Sequence, residues 1–174
     1  MTTAAMIKSL PKDIPVPTMA DFLMGDHVDT IVLLKHFEKA SASGDKQLME
    51  TLTDAIAMVC RLHSQAEMDV LYPFVEKSLG SEGKQKVKES LEEHTNVEQE
   101  ALQALELRKS GGNDLASILS KLNKEFTEHL LKEENDMMMK LLNAASEADM
   151  ADIALQFQQA KESAPLDPPS EMAA

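Results

Sequence analysis

The residues best able to do chemistry occur in the order His27, then His63 with Glu67, then His94, then His129 with Glu133. Four residues make just over one α-helical turn, so each glutamate shares a face with the histidine before it. Apolar residues recur at helical spacing around all six, so each is expected to face a core. They are Ile31 and Leu34 by His27, then Cys60, Val70, Leu71 and Phe74 by His63 and Glu67. Val87, Leu91 and Ala101 flank His94, and Leu122, Phe126, Met137 and Leu141 flank His129 and Glu133. Burying imidazoles and carboxylates is costly unless they are paired or hold a cation. One such histidine reads most simply as a hydrogen-bonded core residue. Four histidines and two glutamates converging from four helices read as a metal site. Imidazole suits iron, zinc, copper and nickel, and carboxylates suit harder ions and can bridge two of them. The set exceeds what one tetrahedral zinc needs and suffices for two metals sharing carboxylates. The fifth histidine, His36, lies about half a rotation from His27 and is expected to point outward or to pack.

Helices must position these groups. The chain has 174 residues, enough for one domain with a substantial core. With no Trp, one Tyr, five Phe and twelve Met, that core must come mainly from Leu, Met, Ala, Val and Ile. This composition favours helices over sheets. Residues 1–17 read as an irregular N-terminal arm and 164–174 as a flexible Pro-rich tail. Between them a first helix is predicted over 18–42, with Ser41, Ser43 and Gly44 ending it. A second starts near Asp45 and runs past Tyr72, where Pro73 removes a backbone donor and predicts a kink or fraying. A third starts at Ser81, a good N-cap, and reaches Ser110. After the Gly111-Gly112 break, a fourth covers 113–145 and a short fifth covers 146–163. Short connections between long helices predict an all-α, antiparallel up-down-up-down four-helix bundle over 18–163, with a short fifth C-terminal helix.

The turns test whether the six groups can meet. Glu67 lies about 13 residues before the turn at Gly80 and His94 about 14 after it. His94 and His129 lie about 17 and 18 residues either side of Gly111. His27 and His63 are offset by only about 5 Å across the first turn. All six are expected in one layer.

The residues three before the histidines are Met24, Leu33, Cys60, Leu91 and Phe126, so the Glu-x-x-His unit of ferritin-like dimetal bundles is absent. Asp26-His27, HSQAEMDVLYP (63–73), EEHTNVE (92–98) and HLLKEENDMMMKLL (129–142) instead resemble the hemerythrin-like, or HHE cation-binding, family across roughly residues 18–163. The resemblance implies a non-heme di-iron centre with two iron ions and an oxo or hydroxo bridge. His27 and His63 would serve one iron, His94 and His129 the other, and Glu67 and Glu133 would bridge. Oxygen-carrying members place a second histidine four residues after the one in the third helix and end in His-x4-Asp. This chain has Glu98 at the first position and only three residues between His129 and Glu133. Its H-HxxxE-H-HxxxE pattern looks closer to members linked to peroxide breakdown, nitric-oxide and oxidative stress, iron sensing or iron–sulfur repair. Repair-type members also carry an N-terminal cysteine-pair domain, which this chain lacks. The implied function is binding of, or reaction with, oxygen, peroxide or nitric oxide, with catalase-like peroxide breakdown the first enzymatic reading. The alternative is a sensor of oxygen, nitric oxide or iron, or a metal-binding protein without catalysis. Iron is preferred to manganese or zinc by resemblance alone.

Several neighbours stay open. Glu98 shares a face with His94 and reads as a seventh ligand, an acceptor for a histidine N–H, or a surface group. Cys60 is a small core residue or a redox-responsive thiol. Tyr72 could donate to an iron-bound oxygen species, but it stands five residues past Glu67 and points elsewhere on an ideal helix, unless Pro73 redirects it. Met137, Met138 and Met139 read as flexible core filler. A net charge of −13 argues against phosphate-based nucleic-acid recognition and equally against anionic membranes. One cysteine excludes an internal disulfide and a cysteine-built metal site. No signal peptide is visible in a start broken by Pro11, Pro15 and Pro17, and no apolar run approaches the roughly 18 residues of a membrane span. A cytoplasmic monomer with a small diatomic or peroxide ligand is the expectation.

Overall fold

The helices begin and end where local chemistry satisfies their exposed backbone groups. In the computed structural model, which describes residues 17–109 and 113–164, helix α1 spans Met19–Ser43. Its start is closed by the Thr18 N–H, which donates to Asp21 Oδ2 at 2.7 Å. It ends at Gly44, whose φ of 71° lets the Gly44 and Asp45 N–H groups donate back to the Ser41 and Ala40 carbonyls. Asp45 then caps α2 (Lys46–Ala66) by accepting from the Leu48 N–H at 3.1 Å. Of the arm expected over 1–17 and the tail expected over 164–174, residues 1–16 and 165–174 lie outside the described residues, as does the expected Gly111-Gly112 break.

The helix does not fray at Pro73, and the disturbance expected there takes the form of a π turn. A π-helical segment, π1 (Glu67–Leu71), carries α2 directly into α3 (Tyr72–Leu107). Proline has no N–H to donate, and its ring would press on the carbonyl four residues back. A π turn is wider, and here the Tyr72 N–H donates to the Glu67 carbonyl five residues earlier. The chain therefore passes Pro73 without fraying. It reverses inside α3 at Gly80, whose φ of 61° and ψ of −129° interrupt the helical backbone. Just after this turn, Gly83 lies so close to the preceding run that a Cβ would sit 2.4 Å from the Val75 carbonyl oxygen.

Helix α4 (Asn113–Lys132) likewise runs through a π segment, π2 (Glu133–Met138), into α5 (Met139–Ala144). Ser146 caps α6 (Glu147–Ser163), accepting from the Asp149 N–H at 3.1 Å. Among the described residues every regular element is helical, and no helix is long and apolar enough to cross a membrane. α1 packs on α2, α2 on α3, α3 on α4, and α4 closes back on α1; α6 lies against α1, α2 and π1.

The apolar interior falls into two clusters. One contains Leu34, Ile56, Cys60, Val97, Leu122 and Phe126. The other contains Leu23, Leu71, Val87, Met137, Leu141 and Phe157. Leu23 and Leu34 bracket His27, Cys60 and Leu71 bracket His63 and Glu67, Val87 and Val97 bracket His94, and Phe126 and Met137 bracket His129 and Glu133. A polar layer thus separates two apolar halves.

Candidate metal centre

All six sequence-predicted groups lie in that layer, and His94, the most exposed, retains only 9 % of its accessible surface. They form two overlapping groups of donor atoms, each mutually within 4.8 Å: His27, His63, Glu67 and Glu133, and then Glu67, His94 and His129. Glu67 belongs to both. Its Oε1 is 3.2 Å from His63 Nε2 and its Oε2 is 2.9 Å from His94 Nε2. Glu133 also lies between the groups, with Oε2 3.4 Å from His27 Nε2 and 3.5 Å from His129 Nε2. The histidines pair as His27 with His63 and His94 with His129, ring centroids 4.9 and 4.5 Å apart. His36 is exposed and takes no part.

Both π segments begin on the glutamate of an HxxxE unit, at Glu67 and at Glu133. Such insertions cluster at functional sites because they re-aim side chains without ending the helix. The consequence for Tyr72 corrects the ideal-helix expectation. With a widened turn, a residue five positions on returns to nearly the same face. The Tyr72 hydroxyl stands 2.7 Å from His94 Nε2 and 3.4 Å from a carboxylate oxygen of both Glu67 and Glu133.

In the first group, His27 Nε2, His63 Nε2, Glu67 Oε1 and Glu133 Oε2 are all buried without a hydrogen-bond partner. Orphaned polar atoms are rare in folded proteins, and each costs about 1–3 kcal/mol. Four that face one another, two nitrogens and two anionic oxygens, are what a cation would satisfy. The mixed imidazole and carboxylate donor set fits a divalent metal ion.

The opposite ring nitrogens are all partnered, in a pattern that closes on itself. Asp26 on α1 takes His63 Nδ1 of α2 at 3.3 Å, and Ser64 on α2 takes His94 Nδ1 of α3 at 2.6 Å. Glu93 on α3 takes His129 Nδ1 of α4 at 3.0 Å, and Glu134 on π2 takes His27 Nδ1 of α1 at 2.7 Å. Each acceptor adjoins a cluster residue in sequence yet serves a histidine on another helix. These partners favour a proton on each Nδ1, so Nε2 is the atom left to a metal once any proton it carries is displaced. Glu98 is half-buried and belongs to neither group, and the acceptor role open to it is filled by Ser64 and Glu93. Sequence reasoning missed Ser64, Glu93 and Glu134 as acceptors and quoted Asp26 without a role.

Charge reinforces the geometry. Burial presses His63 toward its neutral form, but the Glu67 charge and the bond to Asp26 outweigh it and lift the imidazole to about 10. His129 is lifted to about 10 against the same burial effect by Glu133 and Glu93. Burial opposes ionisation of Glu67, yet His63 and His94 hold it well below the usual carboxylate range. Burial and the nearby Glu67 charge both oppose ionisation of Glu133, but His129 and His27 prevail and lower it. Tyr72 is pushed well above the ordinary phenol value by burial and by the Glu67 and Glu133 charges, so its hydroxyl keeps its proton. Cys60 is a buried core residue whose thiol burial pushes up to about 12. That holds it as an inert thiol.

The description of the family whose model matches this chain is "Hemerythrin HHE cation binding domain", and the match covers residues 18–141. No curated protein and no solved structure matches the chain.

Proposed function

The chain belongs to the hemerythrin HHE cation binding domain family, and from that premise we propose that its polar layer is a di-iron centre acting on oxygen, peroxide or nitric oxide. His27, His63, Glu67 and Glu133 hold one ion, and His94 and His129 hold the other, with both glutamates shared. The observation that carries this reading is the set of four buried, unpartnered atoms converging in the first group, with Glu67 offering its second oxygen to the other. Iron bound there would exchange electrons with a small oxygen or nitrogen ligand.

The chain's own residues do the rest. The four Nδ1 partners orient the imidazoles, and Tyr72 keeps a proton 2.7 Å from His94 Nε2. Phe126, 5.8 Å from His27, and Phe157, 6.2 Å from His63, wall the layer against water. In this reading the four long helices run alternately up and down, with α6 as the fifth helix of a cytoplasmic stress protein. The first enzymatic reading is peroxide disproportionation, in which two hydrogen peroxide molecules give one dioxygen and two waters.

Metal analysis of freshly purified protein, with its visible spectrum and evolved oxygen after peroxide, tests the proposal. About two irons per chain with near-ultraviolet bridge absorption supports the centre, and many equivalents of peroxide consumed supports catalysis. A single stoichiometric oxidation would refute turnover and leave a binding or sensing role. One zinc, or no metal after anaerobic iron loading, would refute the centre itself.

A further inference from the structure

Helix α6 lies beyond the residues that the family description covers, which end at 141, yet it reaches the polar layer. Two of its side chains meet His63 or its partner. Phe157 is fully buried and sets its ring edge-on to the His63 imidazole, centroids 6.2 Å apart with planes at 77°. One turn on, Lys161 forms an ion pair with Asp26 Oδ1, while Asp26 Oδ2 faces His63 Nδ1. The Lys161 ammonium also lies 5.9 Å over the Phe157 ring, so the two side chains brace each other. Met150, Ala154 and Phe157 bury the rest of this face beside Leu23, Ala66 and Leu71. The segment below them is π1, which carries Glu67.

Among the described contacts, Phe157 and Lys161 reach His63 and Asp26, not His94 or His129. There the matching arrangement comes from the bundle itself, because Lys132 pairs with Glu93, the acceptor of His129 Nδ1. Each group therefore has one histidine backed by a carboxylate and a lysine, and only the first draws its lysine from α6.

We propose that α6 is a working part of the metal centre, with Lys161 and Phe157 as positioning residues for His63, and so for the His27–His63–Glu67–Glu133 pocket alone. Lys161 fixes one oxygen of Asp26 so that the other stays on His63, and Phe157 stops the imidazole from rotating away. The inference rests on the two-metal reading above.

The test is cobalt(II) titration of the metal-free full chain, followed by calorimetry and visible absorption. His129→Ala leaves the first pocket to be read by itself, and His27→Ala leaves the second. Wild type taking up fewer than two cobalt ions would refute the two-metal reading and this inference with it, before any variant is compared. Given two ions, Lys161→Met in the His129→Ala background is expected to weaken binding about 10- to 100-fold, the usual effect of losing an outer partner. The same change in the His27→Ala background is expected to alter nothing. Lys161→Arg, which keeps the charge, is expected to restore affinity to within a few-fold. No change in either background, or equal loss in both, would overturn the proposal while leaving the two-metal reading intact. Should Lys161→Met lose its helical circular dichroism, Phe157→Leu is read by the same criterion and decides the matter.

Discussion

The two pockets share Glu67, with Glu133 between them, but are satisfied in opposite ways. The His27–His63 pocket presents four donor atoms with no hydrogen-bond partner, whereas in the other His94 Nε2 lies 2.7 Å from the Tyr72 hydroxyl and 3.1 Å from His129 Nε2. Carboxylates back both histidines of the first pocket, Glu134 behind His27 and Asp26 behind His63. In the second, His94 rests on the neutral hydroxyl of Ser64. A carboxylate makes an imidazole a stronger donor than a hydroxyl does. One HxxxE pattern, used twice, has produced a preorganised pocket beside one that must exchange internal hydrogen bonds for a ligand. The first should fill first.

The change with the largest expected effect removes what the pockets share. Glu67→Gln keeps the shape but loses the charge facing both, and iron content should drop from about two per chain to below one, by metal analysis. Retention of two ions would break the pairing.

Next comes Tyr72→Phe, which should shift affinity and visible absorption in the second pocket by about tenfold or more while leaving the first within a few-fold. An equal shift in both, measured by metal titration, would mean that the hydroxyl serves the whole layer.

Smaller again are the acceptors. Glu134→Gln should weaken the first pocket more than Ser64→Ala weakens the second, because a charged acceptor is replaced in one case and a neutral one in the other. Reversed order in the same titration would overturn the proposed ranking.

The pH response should not distinguish the pockets, since each contains one histidine lifted to about 10. A raised folded-state value means the folded chain binds that proton more tightly than the unfolded chain. The stabilisation is therefore complete below about pH 6.5 and lost as pH rises through about 10. Thermal unfolding of metal-free protein should show its Tm falling across that window. Metal-loaded protein should not follow it, because metal displaces those protons and its own affinity rises with pH. A flat metal-free profile would contradict the assigned charge balance. The least effect is expected at Cys60, where thiol reagents should leave the native protein unmodified until it unfolds.

Much of this was legible because helical periodicity and turn spacing are regular. His27, His63, Glu67, His94, His129 and Glu133 read as one layer because each lies at a countable distance from Gly44, Gly80 or Gly111. The π segments were not legible, since an inserted residue leaves no compositional mark, and Tyr72 was misdirected for that reason. Pro73 signalled a disturbance whose form only the three-dimensional structure shows. Leu91 was expected on the inner face of α3 but is 39 % exposed. Ser64, Glu93 and Glu134 were hidden differently. Each stands next to a cluster residue and would be read with its own helix, while its partner is on another.

That cross-helix pattern has a consequence for transplantation. Asp26, Ser64, Glu93 and Glu134 form a closed circuit in which every helix steadies the next and the last steadies the first. A designer who copies the six inward-facing residues onto a new bundle inherits the donors without the circuit that aims them. One who exchanges a single helix with a relative cuts the circuit twice, once where that helix gives support and once where it receives it. The smallest portable unit is the whole turn of four helices.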